Sequence, residues 1–310
     1  MAALPWSSNL KGFEAGFALA QMEGDEEAPE PSPVSLESGA LAERIEKELP
    51  EKAKDLARQG VVRLTDYQGP GYARLYLDRL AKVAEADARH GGPTNGFDVT
   101  VETARRLALW MAFEDLIRVA DLKTRPERIA RVREEVRAAD GQIVTVTEFM
   151  KPGIDEWTSL MPRWIGRPVL GLADRMGLRH RMNVGLHVNT TSVGGFVPLW
   201  LMSKLKGWRP RTMRYADEQA RIEAWLKAIL RSVEIDRGVA LMVARSAKIV
   251  RGYSDTHARG VAKHAKLMSR LDDCLAAPEP AAVFRPLLDA AISDPEGDSL
   301  ERLIGKKEAA

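Results

Sequence analysis

The chain has 310 residues, of which 45% are hydrophobic and 29% are charged, and its formal net charge is only +2. This length can bury one large core or two modest ones, while the mixed charges give no overall electrostatic case for binding nucleic acid or a membrane surface. Its single cysteine, Cys274, excludes an internal disulfide framework and any iron-sulfur cluster held by this chain alone.

The N-terminal region predicts a small helix followed by a linker. Residues 1–22 carry a short apolar stripe that needs something to pack on, and residues 23–38 are acidic with three prolines at alternating positions. The first residues lack the pattern of a secretory signal, and no stretch approaches the roughly 18 apolar residues of a membrane span. We therefore expect a cytoplasmic protein.

Helical patterns dominate the rest of the chain. A helix is predicted from about residue 39 to 59, ending near Gly60, and Val61–Tyr67 could be a strand or a connector. Another helix is predicted over residues 72–90. The domain boundaries that we predict are a helical domain at 39–275 and a C-terminal helix with a frayed tail at 276–310.

The central stretch, residues 104–139, predicts buried charges followed by a basic face. From Leu107 to Ala120 nearly every position is apolar, which is typical of a buried helix. Four charged residues interrupt this run at spacings that would let one arginine meet three carboxylates: Glu114, Asp115, Arg118 and Asp121. A structural ion network between helices and an anion or substrate site built on Arg118 both fit this pattern.

The basic face follows, with Pro126 predicted in the first turn of a second helix. Its cations are Lys123, Arg125, Arg128, Arg131, Arg133 and Arg137. A solvated helix face or a surface for an acidic partner would explain them.

The C-terminal half predicts one strand and two long helices. The β-branched residues at 143–147 favour a strand. Helices are predicted over residues 216–231 and 239–275, the second with a kink at Gly252 or Gly260. The predicted fold class is a mostly α, multi-helix domain with at most a few short strands.

No phosphate-loop, dinucleotide, zinc or nucleophile motif is present. Two polar clusters are the remaining candidates for a site. The first cluster lies between two glycines and consists of Tyr253, Asp255, His257 and Arg259. Its Asp-x-His pair could serve acid-base chemistry or form a polar junction between helices. The second, which includes Arg214 and Glu218 beside Arg209 and Arg211, could clamp an anion or form a subunit contact. The histidines predict no metal site.

Several segments together resemble a known family. They are WMAFEDLIRVADLKTR (110–125), VREEVRA (132–138), VTEFM (146–150), EQARIEAWL (218–226) and GYSDTHARG (252–260). In this order they are similar to the C-terminal helical region of the long-form beta subunit of indolepyruvate ferredoxin oxidoreductase. The resemblance covers residues 61–268, and SNLKGFEAGF at 8–17 resembles the end of the gamma-type α/β domain that precedes this region.

The resemblance implies a non-catalytic, beta-type accessory subunit or domain of a 2-oxoacid oxidoreductase complex that converts arylpyruvates to acyl-CoA. Implied partners are a thiamine-diphosphate and iron-sulfur alpha subunit, a gamma-type domain and ferredoxin. Both cofactors would belong to the alpha subunit, and none is expected in this chain. No catalytic residue of the family carries over. The alternative is a free-standing helical module whose basic residues, 123–137 and 208–214, bind an acidic ligand or nucleic acid.

Overall fold

The structure is a computed structural model that describes residues 39–139, 141–150, 152–178, 185–252, 254–294 and 297–308. The predicted helix at 1–22, the predicted linker at 23–38 and Tyr253 lie outside the described residues.

The described residues confirm the prediction of a mostly α fold. The helices are α1 (Ala40–Glu48), α2 (Glu51–Tyr67), α3 (Pro70–Arg89), α4 (Asp98–Met111), α5 (Leu116–Lys123), α6 (Pro126–Glu135), α7 (Ile154–Ser159), α8 (Arg163–Arg175), α9 (Val193–Ser203), α10 (Met213–Ile235), α11 (Arg237–Ser246), α12 (Ser254–Ser269), α13 (Leu271–Leu275), α14 (Pro280–Ser293) and α15 (Asp298–Glu308). Short 3-10 turns lie at Pro93–Asn95, Lys204–Gly207, Arg209–Arg211 and Ala247–Ile249. Two strands, β1 (Thr147–Met150) and β2 (Leu186–Asn189), form an antiparallel pair in which Thr147 faces Asn189.

The core is built around α2, α3 and α4, against which α10 and α11 pack, and α14 in turn packs against α11. Three buried tyrosines fasten these helices through their hydroxyls. Tyr76 donates to the carbonyl of Ala104 at 3.0 Å, Tyr72 donates to that of Met111 at 3.0 Å, and Tyr67 donates to that of Phe113 at 2.9 Å. Two of these bonds occupy carbonyls at or just beyond the C-terminus of α4, where a helix leaves its last acceptors without intrahelical partners.

The predicted helix at 39–59 is wrong in two respects: it is not continuous, and it does not end near Gly60. The chain breaks at Leu49–Pro50, because Pro50 has no N–H to continue α1, and α2 then runs through Gly60 to Tyr67. Gly60 does not end the helix; it lets Tyr76 approach, since a Cβ at this position would lie 2.8 Å from the tyrosine ring. Residues 61–67 are therefore helical, and neither a strand nor a connector.

The predicted continuous helix through residues 107–120 is also wrong. Helix α4 ends at Met111, and α5 begins at Leu116 with Asp115 as its N-cap. The Asp115 carboxylate accepts a hydrogen bond of 2.6 Å from the backbone N–H of Arg118, which stabilises a helix start in the middle of the apolar run. Pro126 is the first residue of α6, as predicted.

The last predicted helix, at 239–275, is broken into several pieces. Helix α11 leads into the 3-10 turn Ala247–Ile249, Gly252 takes a left-handed conformation with φ 77°, and α12 then begins. Gly260 does not interrupt α12, and it packs against the turn: a Cβ there would lie 2.4 Å from the carbonyl oxygen of Ile249. Beyond α13, α14 and α15 add Phe284 and Leu300 to the same core.

Candidate functional site

The candidate site is a fully buried carboxylate, Glu218, where α4, α10 and α12 meet. Trp110 on α4 donates its indole N–H to Oε2 at 2.9 Å. The other oxygen, Oε1, lies 3.0 Å from Nη1 of Arg221, 3.2 Å from Nε of Arg214 and 3.0 Å from Nε2 of His257. One buried anion thus gathers two arginines, a histidine and a tryptophan.

The contact with Arg214 favours one tautomer of His257. Nη1 of Arg214 lies 3.0 Å from Nδ1 of His257, and a guanidinium can only donate. Nδ1 is therefore the acceptor, and the ring proton sits on Nε2, which faces Glu218. Nδ1 is thus engaged by Arg214, and Nε2 lies 3.0 Å from Oε1 of Glu218.

The environment also holds Glu218 in its ionised form. Burial alone would raise the pKa of its carboxyl, but the hydrogen bond from His257 and the charges of Arg214 and Arg221 lower that pKa to about 2. A carboxylate that stays ionised at neutral pH is a poor general acid or base there. The Glu218 network thus supports packing between helices and does not resemble a catalytic dyad.

The residues predicted around the Asp-x-His pair differ in burial. His257 is buried in the Glu218 network, whereas Asp255 and Arg259 on the same helix are exposed. Arg214 and Glu218, predicted as part of a separate cluster, are the partners that orient the imidazole. This convergence joins segments 39 or more residues apart, so local spacing gives no signal for it.

Asp115 belongs to a second buried network whose main partner is Arg209. Nε and Nη2 of Arg209 donate to the two oxygens of Asp115 at 2.7 and 3.2 Å, and both side chains are almost fully buried. Nη1 donates to the carbonyl of Tyr67 and to Oε1 of Gln68, each at 2.8 Å, and the guanidinium lies 4.1 Å from the centre of the Tyr67 ring. This arginine has a structural role and does not clamp an external anion.

Arg118 forms a third, half-exposed network. Its Nη1 lies 2.9 Å from Asp121, as its spacing predicted, and 2.9 Å from Asp66 on α2. Arg125 binds the same two carboxylates, at 2.6 Å for Asp121 and 2.8 Å for Asp66. The guanidinium of Arg118 does not contact all three carboxylates that the spacing predicted. The carboxylate of Asp115 instead binds Arg209, and Glu114 is exposed. The network joins α2 to α5 and leaves no free guanidinium for a substrate.

Two cavities share Glu114 and His257 in their walls. The basic cleft has a volume of about 590 Å³ and lies between α2, α4, α12, α14 and the turn at Ala247–Ile249. The acidic cleft, of about 370 Å³, is lined by carboxylates of Asp155, Asp217 and Asp255 beside Arg214 and Arg221. Within the described residues, no group of three or more histidine, cysteine, aspartate or glutamate side chains is arranged to hold a metal ion.

Two helices expose apolar stripes that sequence analysis did not identify. The α8 stripe consists of Trp164, Pro168, Leu172 and Met176, and the α9 stripe consists of Val193, Val197, Trp200 and Leu201. Trp164 is 77% exposed and Val193 is 80% exposed. Spacings of three or four residues place each set along one side of its helix, with Met176 just beyond the end of α8. The buried residue of α9 is Leu199.

Comparison with known proteins places most of the chain in one protein family. Residues 53–270 match the model of a family of unknown function, DUF6537. Searches of curated proteins and of solved structures gave no match. In the part of the chain that the structure describes, no helix is both long and apolar enough to cross a membrane.

Proposed function

The chain belongs to the DUF6537 family, and we propose that it acts as a non-catalytic, beta-type accessory subunit or domain of a cytoplasmic indolepyruvate-type 2-oxoacid:ferredoxin oxidoreductase complex. In this proposal the complex oxidatively decarboxylates arylpyruvates to acyl-CoA. Thiamine diphosphate and the iron-sulfur clusters belong to an alpha subunit, and this chain docks onto that subunit and a gamma-type domain. Ferredoxin is the electron acceptor.

The observation that carries the proposal is the pair of apolar stripes on α8 and α9. A helix that is apolar nearly all round is normally buried, yet α9 presents Val193, Val197, Trp200 and Leu201 to solvent. Exposed apolar stripes of this kind mark interaction surfaces, and tryptophan is enriched at protein interfaces. Covering these side chains with a protein partner would remove a large apolar area from water.

The buried networks support the non-catalytic part of the proposal. Glu218 lies within 3.0 Å of His257, His257 contacts Arg214 at the same distance, and Asp115 is held by Arg209. The polar side chains best placed for chemistry are therefore engaged in holding helices together. The reaction chemistry is expected in the partner that carries the cofactors.

The contacts of the basic residues favour the subunit over the alternative binding module. Lys123 and Arg128 both bind Glu148, Arg125 binds Asp66 and Asp121, and Arg133 donates to the carbonyl of Gln142 at 2.8 Å. Arg209, in the second basic segment, is buried against Asp115. Cations neutralised within the fold contribute little attraction to an external polyanion, so Lys123, Arg125, Arg128 and Arg209 are poor contacts for nucleic acid.

The test is an affinity pull-down of the full chain from its own cells, with mass spectrometry and an assay of arylpyruvate-dependent dye reduction in the eluate. The proposal predicts recovery of a thiamine-dependent, iron-sulfur protein together with the activity. A chain that is recovered alone, with nucleic acid or with membrane vesicles would overturn it.

A further inference from the structure

The basic cleft has more positive charge than the protein itself neutralises. Its wall contains six Lys or Arg side chains, from α2, α4, the 247–252 segment and α12: Arg63, Arg106, Lys248, Arg251, Arg259 and Lys263. Two of them have partners, since Arg106 donates to Glu102 at 2.7 Å and Lys263 donates to the carbonyl of Asp294 at 2.6 Å.

The other four cations are available to a ligand. Arg63, Lys248, Arg251 and Arg259 are exposed and form no hydrogen bond or ion pair within the described part of the chain. They approach from three separate elements, α2, the 247–252 segment and α12, so they surround the cleft instead of forming one helix face. Cations that converge on one concavity, although they repel one another, suit a ligand with several negative charges.

The carboxylates in the cleft do not cancel this charge. Glu218 lies at the inner wall, but Arg214 and Arg221 already neutralise it. Glu114 is the other carboxylate of the wall and adds one negative charge against the four free cations. The cleft therefore remains cationic in the folded protein.

One side of the cleft is apolar and open to solvent. Leu109 on α4 is 45% exposed and Ile292 on α14 is 42% exposed, and both belong to the wall. Apolar exposure inside a cavity is typical of small-molecule sites, which usually have volumes of about 300–1,000 Å³. At about 590 Å³ the basic cleft falls within this range.

We propose that the basic cleft binds an organic diphosphate or triphosphate, with its phosphates among Arg63, Lys248, Arg251 and Arg259 and its apolar or aromatic group against Leu109 and Ile292. A single carboxylate would leave most of the four cations without counter-charge, whereas a diphosphate carries about three negative charges at neutral pH and presents the oxygens that guanidinium groups bind in pairs. The first turn of α12 adds the positive end of a helix dipole, since Thr256 and His257 also line the cleft. This inference goes beyond the proposed function and does not depend on it.

The test is calorimetric titration of the full chain, without any partner, with ADP, pyrophosphate and adenosine as probes. We expect saturable binding of one ADP per chain that weakens as salt increases, weaker binding of pyrophosphate and no saturation with adenosine. The double variant Arg251→Gln/Arg259→Gln should bind ADP at least about tenfold more weakly, because each change removes a charge-assisted contact. Both side chains are exposed, so their loss leaves the core intact.

The matched control changes two exposed arginines outside the cleft wall, Arg131→Gln/Arg302→Gln, and should leave ADP binding unchanged. No saturable binding of ADP at millimolar concentration, or equal loss in both double variants, would overturn the proposal. Equal affinity for pyrophosphate and ADP would remove the role of the apolar wall. Tighter binding of a short RNA than of ADP, lost in the same variant, would overturn the small-molecule assignment.

Discussion

Trp110 donates its indole N–H to Oε2 of Glu218 at 2.9 Å, across 108 positions of sequence. The bond joins α4 to α10 inside the core and occupies the one carboxylate oxygen that the cations leave free. Because the other oxygen faces Arg214, Arg221 and His257, a neutral amide cannot replace this carboxylate without leaving buried positive charge.

Replacing Glu218 with glutamine is expected to destabilise the protein by about 3 kcal/mol, because breaking a buried ion pair leaves its partners uncompensated. The measurement is urea unfolding at neutral pH, followed by circular dichroism. Glu135→Gln is the matched control, since its pair with Arg131 is largely exposed and its loss should change stability by less than about 0.5 kcal/mol. Equal midpoints for the two variants would contradict the role assigned to Glu218.

Arg209→Lys is expected to cost about 2 kcal/mol or more, although the charge is kept. A lysine has no planar fork to bind both oxygens of Asp115 while also reaching the carbonyl of Tyr67. Arg211→Lys, two residues away and exposed, should have little effect. Thermal unfolding of the two variants distinguishes them, and a wild-type melting temperature for Arg209→Lys would show that geometry does not matter at this pair.

Two glycine-to-alanine changes are expected to act in opposite directions. Gly260→Ala should destabilise, because its Cβ would lie 2.4 Å from the Ile249 carbonyl oxygen and would push α12 away from the turn. Gly171→Ala in α8 has nothing within 4 Å of its Cβ and should stabilise by about 0.5–1 kcal/mol through the better helix propensity of alanine. Denaturant midpoints measure both, and a stabilising Gly260→Ala would contradict the packing described.

Acid is expected to weaken the fold through His264 before it affects Glu218. Burial, with a smaller effect from the charge of Arg221, lowers the pKa of His264 to about 4 from 6.5. Between these two values the unfolded chain binds a proton that the folded chain does not, so stability falls as pH falls from 6.5 to 4. The full contribution is about 3 kcal/mol.

The measurement for His264 is the urea midpoint at several pH values through this window. His264→Gln should remove much of the decline, whereas His187→Gln, at an exposed position, should keep it. A decline that is equally steep in wild type and both variants would assign it to other groups. The carboxyl of Glu218, whose pKa is about 2, loses its contribution only at lower pH, as the pH falls from the unfolded value of about 4.5.

Periodicity predicted the helical class correctly but misplaced several helix ends. Pro126 carries its own signal, because proline suits a first turn and disfavours later ones. Asp115 and Gly60 carry ambiguous signals: an aspartate inside an apolar run can be a buried charge or an N-cap, and a glycine can end a helix or admit a neighbour. Asp115 binds Arg209, 94 positions away, and Gly60 admits Tyr76, and only the packed fold decides these cases.

The sequence predicts the residues of the candidate site as separate clusters, and the tertiary structure brings members of different clusters together. His257 and Glu218 were each identified as polar residues of interest, yet the pair between them joins two segments that the sequence treats separately. Asp255 lies on a different side of α12 from His257, because each position along a helix is rotated by about 100° and the two residues are two positions apart. The apolar stripe of α9 was missed because a strongly apolar run predicts burial, and exposure depends on what packs against it.

The most direct measurement of the central claim is a pull-down comparison between wild type and a chain with weakened apolar stripes, Trp164→Ser/Leu172→Ser/Val193→Ser/Leu201→Ser. The control, Val62→Ser/Ile235→Ser, changes exposed apolar residues outside the stripes. The account predicts that wild type and control recover the same thiamine-dependent partner and arylpyruvate activity, and that the stripe variant, while folded, recovers at least about tenfold less of both. Equal recovery by the stripe variant would contradict the claim that α8 and α9 dock onto a partner.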